Sequence, residues 1–178
     1  IILFSDGKDG WGDDGRIAWE LIAVGFERVK IADRGFSALE AAGVPTQKGA
    51  EPFTPAEVTV STLDETHLIN TDALVDIYDT VKIVDVRADE EYDGEVLYGE
   101  KKGGHLPGAI HIRFTDLFDD NNVLKSNEEL TAMFEAAGLS KEDTIVTYCT
   151  AGIRSAYMQL MLEMCGFENS INYDESYY

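Results

Sequence analysis

An α/β fold around a largely parallel sheet, with a partial second copy of the same plan at the N-terminus, is what this sequence predicts. Three observations carry that expectation. Short Ile- and Val-rich runs alternate with stretches of helical period, the pattern of strand–helix–strand units. Several of those runs are apolar at successive positions, as strands covered on both faces are. Finally, "IILFSD…RIAWELIAVGFERVKIADRGF" is echoed by "TIVTYC…RSAYMQLMLEMCGFENSINYDESY". Each reads as an apolar strand, a polar glycine-bearing loop, a helix, Gly-Phe and a second strand, and internal repetition is a strong architectural signal. The echo sets Asp6 where the later copy has Cys149.

The elements follow in order. Ile1 to Ser5 reads as a strand, Gly15 to Val24 as a helix, Arg28 to Ala32 as a strand and Phe36 to Ala42 as a helix. "GVPTQKGAEPFTPAE", Gly43 to Glu57, holds three of the four prolines and reads as a linker. The chain thus divides into a partial domain over residues 1–43, a linker over 44–57 and a catalytic domain over 58–178. Within the last, a helix over Thr71 to Tyr78 precedes strands at Val81 to Val86 and Ala109 to Ile112. Ser126 with Glu129 three positions on forms a capping-box signal for a helix over Asn127 to Ala137, and Gly138 stops it. A strand at Thr144 to Tyr148, a helix from about Ala151 to Met164 ended by Gly166, and a strand at Ser170 to Tyr173 complete the reading.

Composition narrows the function. The chain has 178 residues and 44% hydrophobic content, ordinary for a globular protein. No apolar run approaches the roughly 20 residues of a membrane-spanning helix. Lys and Arg total 14 against 34 Asp and Glu, a formal net charge of −20, which argues against nucleic acid and anionic membranes as partners. Any anionic substrate must therefore be attracted locally. Two cysteines make no disulfide scaffold, and the three histidines show no metal-ligand spacing, so neither metal nor cofactor is expected. The opening "IILF" carries no signal-peptide pattern and starts in mid-strand, so a fragment of a longer chain is expected. A cytoplasmic location is expected ahead of a periplasmic one.

The chemistry concentrates at Cys149, between a strand end and a helix start. Such a loop turns several backbone N–H groups into one concavity, which lowers a thiol's pKa and holds an anion. Gly152 lets the backbone curl, and Arg154 adds a permanent forked charge. Cys165, late in an apolar helix, reads as a packing residue.

Cys149-Thr150-Ala151-Gly152-Ile153-Arg154, followed by Ser155, resembles the six-residue active-site loop of the rhodanese (sulfurtransferase) family. "VDVRADEEY" resembles the family's Asp-x-Arg strand end and "GGHLPGAIHI" its Gly-His-Ile-Pro-Gly-Ala motif, while "DGEVLYGEKKGG" lengthens the segment between them as in the second domain of tandem rhodaneses. The resemblance implies a three-layer α/β/α fold, an inactive first domain and a catalytic second one. It also implies a reaction: the Cys149 thiolate takes a sulfane sulfur from a small anionic donor such as thiosulfate and passes it to cyanide or a thiol. The alternatives are a persulfide carrier serving a sulfur-accepting protein, and a 3-mercaptopyruvate sulfurtransferase. A phosphatase is disfavoured, because related phosphatases use a C-x5-R loop one residue longer. By the same resemblance Thr150 to Ser155 bind the substrate, and Asp85, Arg87 and His105 support them. Thr150 and Ser155 hydroxyls are candidates for bonding the sulfur or for capping the helix. Glu91 stands where tandem enzymes carry a substrate-binding arginine, and at the mouth it would repel thiosulfate.

The remaining residues read plainly. His67 and His111 belong to no motif, and Tyr148 reads as core. The acidic stretch "DGKDGWGDDG" lacks the order of an EF-hand and reads as a flexible loop, with Trp11 placed to reach over the neighbouring cleft.

Overall fold

The computed structural model describes residues 1–60 and 63–178. Its centre is a five-stranded, wholly parallel sheet. Ahead of it in the chain come β1 (Ile2–Leu3), α1 (Asp13–Ala23), β2 (Lys30–Ile31) and α2 (Gly35–Ala41). The sheet is then built from β3 (Leu68–Ile69), β4 (Lys82–Asp85), β5 (Ile110–His111), β6 (Ile145–Tyr148) and β7 (Ser170–Tyr173) in the order β3-β7-β6-β4-β5. The connecting helices are α3 (Thr71–Ile77), α4 (Asp89–Asp93), α5 (Asn127–Ala136) and α6 (Ile153–Met164).

Side chains on the central strands alternate between two apolar layers. Val84 and Ile145 join Leu130, Phe134, Met158 and Leu162 on the face covered by α5 and α6. Ile83 and Val146 join Ile69, Leu74 and Tyr173 on the face covered by α3. This is the three-layer arrangement expected from the resemblance, and it explains why β4 and β6 read as continuous apolar runs. The capping box is in place: the Ser126 amide donates to Glu129 Oε2 at 2.9 Å, and the Glu129 amide donates to Ser126 Oγ at 3.3 Å.

β3 and α4 lie outside the sequence expectations, and several element ends shift by up to two residues, α1 starting at Asp13 rather than Gly15 and β1 ending at Leu3 rather than Ser5. β3 is two residues long and gains its partner only from β7, at the chain's other extreme, so it carries no local signal. α4 is one five-residue turn, too short for a periodic pattern. α6 starts at Ile153 rather than Ala151, because Gly152 sits at φ +77° as its N-cap and holds the preceding residues out of the helix.

The N-terminal segment forms its own parallel pair, β1 with β2, joined by α1. It docks on the larger unit through α1 against α6. Gly15 makes that approach possible, since a Cβ there would lie 2.2 Å from Tyr157 Cδ2. The acidic loop before α1 is not free. Lys8 Nζ donates to the carbonyls of Asp119 and Asp120 at 2.8 and 3.1 Å, and the Lys8 amide donates to Asn122 Oδ1 at 2.7 Å. The single lysine among the acids, rather than the acids, fixes this loop.

Candidate active site

Parallel strands place their C-terminal ends on one edge, and β4 and β6 bring Asp85 and Tyr148 side by side there. Cys149 is the next residue. The loop turns back on Gly152, where a Cβ would meet the Asp174 carbonyl oxygen at 2.7 Å, so a larger residue would push the loop off the segment after β7. That segment holds the loop from behind. The Cys149 amide donates to Ser176 Oγ at 3.2 Å, and the Tyr177 amide donates to the Thr150 carbonyl at 3.2 Å. From the other side, Arg16 of α1 donates to the Gly152 carbonyl at 3.3 Å and pairs with Asp174.

The thiol sits at the bottom, 1% exposed. Burial by itself pushes it up. The Arg154 charge, the Ser155 hydroxyl and the amides of Ser155 and Ala151 outweigh burial and hold it below the ordinary cysteine value. Ser155 Oγ lies 3.6 Å from Cys149 Sγ, so of the two expected hydroxyls Ser155 is the one that reaches the sulfur. Cys165 is the internal contrast: burial leads among its causes and pushes its thiol up, and it donates only to the Asn127 carbonyl at 3.8 Å.

Thr150 and Glu91 both depart from expectation. Thr150 does not aim its hydroxyl at the sulfur, nor does it cap α6. It donates to Glu91 Oε1 at 2.6 Å. Glu91 does not stand at the mouth as a repelling charge. It is fully buried and accepts both Arg154 nitrogens, at 2.7 and 2.8 Å, and the Ala88 amide at 3.1 Å. Burial raises its carboxyl, but the bonds from Arg154 and Thr150 prevail and hold it below the usual carboxylate range. Arg154 is thus a neutralised cation beneath the loop. The physical reason is α4, which has no counterpart in the sequence reading: its single turn swings Glu91 inward beneath Arg154.

Asp85 and Arg87 brace the strand end beside the loop. Asp85 is fully buried, accepts Arg87 Nη2 at 2.7 Å and accepts the Tyr148 hydroxyl at 2.5 Å. Arg87 Nη2 also donates to the Gly104 carbonyl at 2.7 Å, which ties the glycine-rich turn to the strand end. His105 is exposed, stacks on Tyr92 with ring centroids 3.7 Å apart, and places Nδ1 2.9 Å from the Tyr92 carbonyl. It braces a turn, and His111 flanks the other face of Tyr92 at 4.2 Å. His67 lies on the far side, with Nδ1 2.9 Å from the Ser170 carbonyl.

Above Cys149 lies a cavity of about 230 Å³ walled by Trp11, Asp13, Tyr98, Ile153 and Tyr178. A second, of about 350 Å³, shares Trp11, Tyr98 and Arg154 and adds Asp9, Asp89, Glu90 and Arg113. Trp11 does reach over the cleft: its ring meets Tyr98 edge-on at 5.1 Å and lies 5.0 Å from the Arg154 guanidinium carbon. Tyr98 and Ser176 give no signal in the sequence, because each enters the site only through long-range packing.

Comparison with known proteins agrees with this geometry. A family model described as a rhodanese-like domain matches residues 70–178. A Mycobacterium tuberculosis protein named "Putative thiosulfate sulfurtransferase" is 29% identical over 167 residues, covering 89% of this chain and 60% of the relative. The "Sulfur carrier protein TtuD" of Thermus thermophilus is 27% identical over 190 residues, covering 99% of this chain and 66% of the relative. The chain therefore spans about 60% of the length of the mycobacterial relative. Among solved structures, the 3-mercaptopyruvate sulfotransferase SseA from Escherichia coli superposes with a TM-score of 0.85 at 24% identity, over 99% of this chain and 66% of that one.

Proposed function

The chain belongs to the rhodanese-like domain family, and on that premise we propose that it is a sulfurtransferase that moves a sulfane sulfur from thiosulfate to a thiophilic acceptor through Cys149. The Cys149 thiolate attacks the outer sulfur of thiosulfate. The donor's S–S bond breaks, sulfite leaves with the electron pair, and a persulfide remains on Cys149. Cyanide or a thiolate then attacks the outer sulfur, and the Cys149 thiolate is restored. The observation that carries this reading is the buried thiol held below its ordinary pKa, with the Ala151 and Ser155 amides facing it. In this reading Ala151 and Ser155 donate to the sulfur, Gly152 shapes the curl and Ile153 walls the cavity. Thr150 acts through its bond to Glu91, and Arg154, held by the same carboxylate, lends its charge to the thiolate, while Asp85, Arg87 and His105 keep the surrounding turns in place.

The same reading takes residues 1–43 as a partial, chemically silent rhodanese-like domain, 44–57 as a linker and 58–178 as the catalytic domain. The parallel β1–α1–β2 unit supports it, because it repeats the order and hand-over of β6–α6–β7. The exposure of residues 44–57 throughout suits a linker. A carrier role is the second reading, favoured by the name of the Thermus relative and by the net charge of −20, which suits docking to a basic partner.

The test is intact-mass analysis after thiosulfate, followed by cyanide. The expected result is a gain of one sulfur mapped to Cys149, its loss with release of thiocyanate, and neither event in Cys149→Ser. Thiocyanate formation undiminished in Cys149→Ser overturns the mechanism. Loading from a protein persulfide with no thiocyanate turnover selects the carrier reading.

A further inference from the structure

We infer that the acceptor drawn to the Cys149 cavity is an organic thiol with an uncharged aromatic or apolar body, and that Trp11 and Tyr98 select it. The inference deepens the sulfurtransferase reading and rests on it for the chemistry. Three observations converge. Arg154 is the one cationic side chain among the described residues lining the cavity, and Glu91 already takes both its terminal nitrogens. The wall opposite the sulfur is aromatic and aliphatic, made by Trp11, Tyr98 and Ile153, with Asp13 as its other charged member. The adjoining cavity adds the carboxylates Asp9, Asp89 and Glu90, and its two further arginines are already paired, Arg113 with Asp89 at 2.8 Å and Arg87 with Asp85 at 2.7 Å.

Unlike thiosulfate, whose charge reaches the loop amides beside the sulfur, an acceptor carboxylate held further out loses hydration and meets Asp13 and an Arg154 already bound to Glu91. A flat apolar body instead gains burial against an indole and a phenol already set edge-to-face. The transfer itself balances without an outside oxidant. The acceptor thiolate forms a bond to the outer sulfur of the Cys149 persulfide (S–SH), the S–S bond breaks with its pair passing to Sγ, and the acceptor leaves as R–S–SH. Trp11 belongs to the N-terminal loop that Lys8 and Asn122 pin down, so half of the selecting pair comes from a segment outside the matched family region of 70–178.

The experiment has two arms on the full chain. In the first, Cys149 is loaded with sulfur, and benzyl mercaptan and 3-mercaptopropionate compete to remove it, with rates compared per thiolate. The aromatic thiol is expected to be favoured by about tenfold or more, the worth of one buried apolar group. Trp11→Ala or Tyr98→Leu should shrink that ratio. In the second arm, binding of benzyl alcohol and 3-hydroxypropionate to Cys149→Ser is followed by shifts of the indole N–H signals. It needs no persulfide, so it decides the inference even if thiosulfate fails to load Cys149, a failure that would count against the sulfurtransferase reading instead. Equal or stronger binding of the carboxylate, or a ratio unmoved in both Trp11 and Tyr98 variants, overturns the inference.

Discussion

The β1–α1–β2 unit and the β6–α6–β7 unit share a strand–helix–strand order and end differently. Both are parallel strand pairs bridged by a helix. In the second, the strand leads straight into a four-residue loop whose N–H groups converge on Cys149. In the first, Asp6 is exposed, and the longer loop folds into a 3₁₀ turn at Gly7–Asp9 that packs on Asn122. Each unit's arginine reaches outside its own unit: Arg154 binds the buried Glu91 of α4, and Arg16 holds the Gly152 carbonyl of the other unit. The frame supplies direction, but loop length and a buried counter-ion decide whether a site forms.

The comparison breaks most completely at the sulfur. Cys149→Ser should abolish sulfur loading, while Asp6→Cys should gain no second loading site; mass mapping after thiosulfate reads both. A persulfide on the thiol introduced by Asp6→Cys would show that the frame alone suffices. Next in size is the buried counter-ion that α4 supplies to Arg154 of the second unit. Glu91→Ala strands Arg154, which is 7% exposed, and removing one partner of such a buried pair costs about 3–5 kcal/mol. Urea denaturation measures this loss. The same pair sets an acid limit. Because the folded carboxyl lies below its unfolded value, Glu91 contributes its full stability above the ordinary carboxylate range and loses it as pH falls through the lowered folded value. The variant's stability should therefore depend less on pH in that acid window.

The join between the units comes third. Gly15→Ala drives a methyl into Tyr157, and overpacking of this kind costs about 1–3 kcal/mol, read as a lowered melting temperature. The smallest effect belongs to the Ser155 hydroxyl. The pH midpoint of Cys149 alkylation should lie below the usual value of about 8.5, and Ser155→Ala should raise it slightly. Arg154→Gln should raise it further. An unchanged midpoint in both would remove the account given for the thiol.

Where the chain makes its contacts locally, the sequence displays them. The Ser126–Glu129 cap lies within four residues and the β4 strand, Lys82–Asp85, within four, and both are legible. Cys149, Gly152 and Ser155 are legible because strand, turn and helix follow one another without a break. Glu91 is visible but misleading: its meaning depends on a five-residue helix that points it inward, and helices that short carry no period. β3, Tyr98 and Ser176 are invisible for another reason. Each takes its role from a partner far along the chain, such as Leu68 beside Asn172 or Ser176 beneath Cys149.

The Arg16 bond to the Gly152 carbonyl has a kinetic consequence. When α1 lifts from α6, the Cys149 loop loses a holding point at the moment the solvent gains a path to it. The backbone protons of Gly152 to Arg154 should then exchange with water no more slowly than the α1 opening permits, so the loop and the first helix form one breathing unit.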